Sequence, residues 1–161
     1  MNPLWLPLQI LLEQYRGVWA DYFEAIYDIF HQDFVQSKPI FRGKRLGLKR
    51  YPEHEGKSAT FWHMISTGDQ EEERVPDIRR CERIGWPKPI IDNSVDPCLK
   101  TWAEPKGKNK RIHIWFEDEG YLVVLDDRGE YILPWTAFYI ENEHQKRKYN
   151  NRWNRYKDNG V

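Results

Sequence analysis

Arg111-Ile112-His113-Ile114-Trp115-Phe116 is followed, across the turn Asp118-Glu119-Gly120, by Tyr121-Leu122-Val123-Val124-Leu125. In the first run Ile112, Ile114 and Phe116 fall on one side of an extended chain, and Arg111, His113 and Trp115 on the other. β-branched and aromatic residues bounded by acidic, glycine-bearing turns specify strands. Working outward, Leu99-Lys100-Thr101-Trp102 leads into the turn Lys106-Gly107-Lys108-Asn109. Asp126-Asp127-Arg128-Gly129 leads into the run from Glu130 to Ile140. Connections this short join neighbouring strands, so the second half of the chain reads as an antiparallel meander.

The first half has a different period. Between Gly17 and Val35 the apolar residues Val18, Trp19, Tyr22, Phe23, Ile26, Tyr27, Ile29, Phe30 and Phe34 recur at three and four, which predicts an amphipathic helix stopped near Ser37 by Pro39. Arg42 to Arg50, with five basic residues in nine positions, reads as an irregular basic arm or short strand. Ser58 is a candidate N-cap for a short helix carrying Phe61 and Ile65 on one face. Beyond Gly68 the acids Asp69, Glu71, Glu72 and Glu73 make a loop, and Pro76-Asp77 opens a second short helix to about Ile84. Pro87 and Pro89 should end it and leave Ile90-Ile91 extended. The tail from Glu141 to Lys157 is helical in composition, with Tyr149, Trp153 and Tyr156 among its basic residues.

Helices, then strands, then a closing helix define an α+β arrangement. N-terminal helices should pack on one face of a roughly four-stranded antiparallel sheet, leaving the opposite face open. The expected organisation is a single domain with a helical segment at 1–37, a core at 38–140 and a basic-aromatic helix at 141–161.

The 161 residues carry 25 Lys+Arg and 25 Asp+Glu. That length suits one domain and excludes a multidomain enzyme. The zero sum conceals opposed patches: basic at 42–50, 106–111 and 146–157, and acidic at 69–73, 117–119 and 126–130. Cys81 and Cys98 lack the spacing of a disulfide framework or a zinc site, which points to a reduced, cytoplasmic setting. The apolar start from Pro3 to Leu12 lacks a basic leader and falls short of the roughly 20 residues a bilayer requires. It reads as a helix or arm packed on the domain, with no membrane partner. There is no phosphate-cradling glycine loop, no Gly-x-Ser-x-Gly and no His-Glu-x-x-His. No cofactor is expected.

His63, between Trp62 and Met64, is the residue best suited to move a proton to or from a ribose oxygen. Taken alone, a histidine is more often structural. Arg79, Arg80, Arg83 and Arg111 offer forked donors for a phosphate, although any one of them is more readily an ion-pair partner of a nearby acid. The tail mixes phosphate-binding cations with stackable rings, and its commoner reading is an amphipathic helix whose rings are core.

Two segments carry a family resemblance. They are Trp62-His63-Met64-Ile65-Ser66 with Arg74-Val75-Pro76-Asp77-Ile78-Arg79-Arg80-Cys81-Glu82-Arg83-Ile84, and Tyr121-Leu122-Val123-Val124-Leu125 with the run from Tyr131 through Thr136-Ala137-Phe138-Tyr139. Together they resemble the phage- and mobile-element-borne branch of the barnase/EndoU/colicin/RelE-like (BECR) nucleases over about 38–148. The resemblance implies a helical layer on a four-stranded sheet and a metal-independent endoribonuclease that attacks with the 2′-hydroxyl. It also implies a toxin or mobile-element effector held by a cognate inhibitor or antitoxin protein.

On that reading His63, Arg80, Arg83, Arg111 and Thr136 are catalytic, and Arg79, His113, Trp115, Tyr139 and Arg147 bind RNA. Tyr139 lies an odd number of positions from Thr136, so alternation puts it on the other face unless Pro134 makes a bulge. Catalysis requires His63, an arginine and Thr136 to converge at one accessible place. The alternatives are a non-catalytic RNA- or protein-binding adaptor and, more remotely, an inhibitor of some partner nuclease.

Overall fold

The computed structural model describes residues 2–68, 70, 73–159 and 161. The expected acidic loop lies partly outside the described residues, at Asp69, Glu71 and Glu72. The architecture is α+β: helices on one face of a four-stranded antiparallel sheet, and a closing C-terminal helix.

Helix α1, Trp19–Phe30, buries Tyr22, Ile26 and Phe30 at intervals of four, and the stripe continues to Phe34 through wider π turns over His31–Gln36. Against it lies α2, Ala59–Ile65, capped by Ser58, whose Oγ accepts from the Phe61 amide at 3.3 Å. Phe61 is wedged among Phe23, Tyr27 and Phe30 with ring centroids 5.1–5.8 Å away. Before α2, Ile40–Phe41 (β1) and Lys44–Arg45 (β2) form a minimal hairpin within the basic arm. After it, Ser66–Thr67 (β3) pairs with Val75–Pro76 (β4). Pro76 is thus a strand residue, and Asp77 is the N-cap of α3, Ile78–Glu82.

The segment expected to be extended is instead α4, Pro87–Asp92. Both prolines sit in its first turn, where the amides have no intrahelical acceptor, so the missing N–H groups cost nothing there. The N-terminal arm packs on these helices: the Ile10 amide donates to the Glu82 carbonyl at 2.9 Å, and Trp86 Nε1 to the Pro7 carbonyl at 3.0 Å.

The sheet runs β5 (Lys100–Lys106), β6 (Asn109–Phe116), β7 (Tyr121–Asp127) and β8 (Ile132–Tyr139), in that order, with every pair antiparallel. Alternation holds on β6: Ile112, Ile114 and Phe116 join the helical-layer core, and Trp115 joins a second cluster on the other face. That other face is not open. Helix α5, Glu143–Tyr156, lies across it and packs Tyr149, Trp153 and Tyr156 onto Trp102, Trp115 and Leu122. Three large rings on one side of a charged helix need an apolar floor, and the second sheet face supplies it.

The register slips once. Val124 pairs with Thr136 and Leu125 with Pro134, so Trp135 is an extra residue on β8. A proline cannot donate to the ladder, and a bulge is where an edge strand accommodates one.

Candidate functional site

Two arginines gather the end of α2. Arg80 Nη1 donates to the carbonyls of His63 at 3.1 Å and Ser66 at 2.8 Å, and lies 3.4 Å from Thr136 Oγ1. Arg74 Nε donates to Ser66 Oγ at 2.9 Å. Carbonyls in the last turn of a helix have no intrahelical donor, and guanidinium groups provide one while opposing the negative helix end. Thr136 Oγ1 donates to the same His63 carbonyl at 3.0 Å. The peptide of His63 is thereby tied to the β8 edge from two directions. Burial lowers the Arg80 pKa despite the pull of Asp77, and its Nε has no hydrogen-bond partner among the described residues.

The imidazole of His63, half-buried, meets Trp135 edge to face with centroids 5.6 Å apart. The same indole carries the Arg111 guanidinium 4.3 Å from its centroid and Lys49 Nζ at 5.5 Å. Arg111 reaches it from β6, braced by an ion pair to buried Asp126 at 3.0 Å, whose other oxygen pairs with Arg128 at 2.5 Å. Lys49 also lines a surface groove with Arg45, Arg128, Tyr131 and Leu133. His63 and Arg111 therefore meet on the bulged Trp135, and Arg80 and Thr136 join them through the His63 carbonyl.

The remaining candidates lie elsewhere. Arg83 is 7% exposed, and its guanidinium lies 4.1 Å over Tyr139, which faces the helical layer. The bulge falls before Thr136, so it leaves Thr136 and Tyr139 on opposite faces. Arg79 is exposed and pairs with Glu82 at 3.4 Å, and Arg147 is on the outer surface of α5.

His113 and Trp115 are sealed beneath α5. Trp115 is fully buried, with Nε1 donating to Asn150 Oδ1 at 3.1 Å. His113 stacks on Trp102 at 5.0 Å, with rings 7° from parallel. Beside it Arg152 grips Glu104 with two hydrogen bonds of 2.8 and 2.9 Å, and Trp102 Nε1 donates to the same carboxylate at 2.8 Å. Burial works to raise the Glu104 pKa, but these donors outweigh it and hold the carboxyl below its usual range.

Arg152 Nη2 lies 3.2 Å from His113 Nε2. A guanidinium only donates, so Nε2 must accept, and the neutral ring carries its proton on Nδ1. That Nδ1 is 3.8 Å from Glu104, too far for a hydrogen bond, and has no other partner among the described residues. Burial pushes the His113 pKa down to about 4, against the opposing pull of Glu104.

Four participants escape sequence reasoning. Lys49 and Trp135 belong to runs already read as a basic arm and a strand, and Pro134 was the signal that the strand would push a residue out. The Glu104–Arg152 pair joins positions 48 residues apart and leaves no local trace.

No family model, curated protein or solved structure matches the chain.

Proposed function

We propose that the protein is a metal-independent endoribonuclease of the barnase/RelE-like type, acting at the bulge of β8. The observation that carries this reading is the meeting of an imidazole, His63, with two cations, Arg111 and Lys49, on one half-buried indole, Trp135. A 2′-hydroxyl attacks the adjacent phosphorus, the bond to the 5′-oxygen breaks, and a 2′,3′-cyclic phosphate and a 5′-hydroxyl result. His63 takes the 2′ proton, the leaving 5′-oxygen takes one from water, and the imidazolium returns its proton to the hydroxide so formed. Arg111 and Lys49 stabilise the charge that builds on the phosphoryl oxygens. Trp135 offers a ring for base stacking.

Arg80 and Thr136 act as positioning residues, since Arg80 Nη1 and Thr136 Oγ1 both donate to the His63 carbonyl. A toxin-like role under a cognate inhibitor belongs to the same proposal.

The test incubates purified protein with total RNA in EDTA beside His63→Ala, with circular dichroism as the folding control. Cleavage by the wild type and its loss in a folded variant support the reading. Equal cleavage by both removes His63 from the chemistry. No cleavage by either favours the adaptor reading, which the half-buried Glu104–Arg152 pair and the basic surface of α5 serve equally well.

A further inference from the structure

Helix α5 has one face more than its packing requires. Tyr149, Trp153 and Tyr156 turn toward the sheet. His144, Arg147, Lys148, Asn151 and Arg155 follow at i, i+3, i+4, i+7 and i+11, a single stripe on the opposite side. They line a shallow groove with Glu104 and Arg152. The helix carries five basic residues against one acid, Glu143, in a chain of zero net charge. Lys146 pairs with Glu143, and Arg152 with Glu104. Arg147, Lys148 and Arg155 have no ion pair among the described residues. Packing explains the rings and does not explain this concentration of unpaired cations.

The stripe is continuous with the site. Glu104 on β5 pairs in register with Arg111 on β6, Arg111 with Asp126 on β7, and Asp126 with Leu133 on β8, close to Trp135. Arg152 docks on the first of these acids, and Arg111 and Arg128 dock on the second. Lys49 closes the row over Trp135. Three strand spacings of about 4.8 Å carry this row roughly 14 Å across the sheet, from the groove at α5 to the ring beside His63.

We infer that α5 is a second phosphate-binding element, over which a single-stranded RNA continues after leaving Trp135. Arg147, Lys148 and Arg155 contact flanking phosphates. The inference rests on the reading of the site as RNA-directed, and it assigns α5 a part in substrate affinity and none in the chemical step. Arg147, Lys148 and Arg155, spread over about 12 Å of the helix axis at 1.5 Å per residue, fit contacts to successive phosphates of a polyanion, and contacts of that kind are sequence-tolerant.

The test measures binding of a short fluorescein-labelled single-stranded RNA by anisotropy across a salt series, in the His63→Ala background so that nothing is cut. Arg147→Gln/Arg155→Gln should lower the slope of log K against log salt by about 1.4, or about 0.7 per lost contact, and weaken binding about 25-fold at ~0.1 M salt. With wild-type His63 the double variant should need more RNA for half-maximal rate and cleave at the same rate when saturated. Unchanged slope and affinity in a folded variant would overturn the role of α5 and leave the site reading standing. Absence of RNA binding with polyglutamate binding intact would overturn it in favour of an acidic protein partner. Failure of the RNA-cleavage reading shows separately, as no cleavage by the wild type.

Discussion

Replacing His113 by Phe should flatten the acid limb of the stability profile. The ring is 5% exposed, neutral, and has Arg152 beside one nitrogen and Arg111 two residues away on its own strand. Among the described residues Glu104 is the one carboxylate facing it, and that carboxylate is already committed to Arg152 and Trp102. The pKa falls from 6.5 in the unfolded chain to about 4 in the fold, mainly through burial.

The depressed value fixes the sign. Above pH 6.5 the group is neutral in both states and adds no pH dependence. As pH falls from 6.5 toward 4, the unfolded chain takes up a proton that the fold refuses, and stability is lost. At pH ~4.5 the loss is about 2.5 kcal/mol relative to pH ~7.5. Phe keeps the stacking on Trp102 and cannot titrate.

Urea unfolding at both pH values, for wild type and His113→Phe, isolates the contribution, because groups such as Glu104 that titrate in both proteins largely cancel. The wild type should lose about 2.5 kcal/mol more than the variant. Parallel pH profiles would refute the buried, neutral assignment and return His113 to the RNA-binding candidates.

Arg80→Met should cost about 2–4 kcal/mol in urea unfolding, since two charge-assisted bonds to carbonyls are lost while the burial cost of the guanidinium is recovered. Its RNA cleavage rate should fall with RNA affinity kept, and a variant with full rate would refute the positioning role. Gly120→Ala should destabilise by about 2–4 kcal/mol, because φ is +63° and a Cβ would lie 2.5 Å from the Ile140 carbonyl oxygen. An unchanged Tm would show that the junction of β7 with the start of α5 is looser than its geometry implies.

The architecture was legible because its signals are local. The period of two from Arg111 to Phe116, the glycine turns and the spacing from Tyr22 to Phe34 each act within a few residues. The errors arose where tertiary packing decides. Pro87 and Pro89 look like breakers until they are counted from the helix start, and the second face of the sheet looks open until the rings of α5 are given somewhere to go. The site was half legible. His63, Arg80, Arg111 and Thr136 do come together, but Arg80 and Thr136 meet His63 through its carbonyl, which side-chain reasoning does not anticipate. His113 and Trp115 share a strand face with Arg111, yet α5 covers them and leaves Arg111 reaching past to Trp135. Strand alternation assigns a face, and only the packing helix determines which part of that face remains available.

The central claim is a 2′-hydroxyl attack at Trp135 assisted by His63, and the chemistry of the product ends tests it most directly. Single-stranded RNA cut in EDTA should yield 2′,3′-cyclic phosphate and 5′-hydroxyl ends, and the same oligonucleotide with 2′-deoxyribose at the cut position should resist. Cleavage of the deoxy-substituted strand, or products ending in 5′-phosphate, would contradict the account.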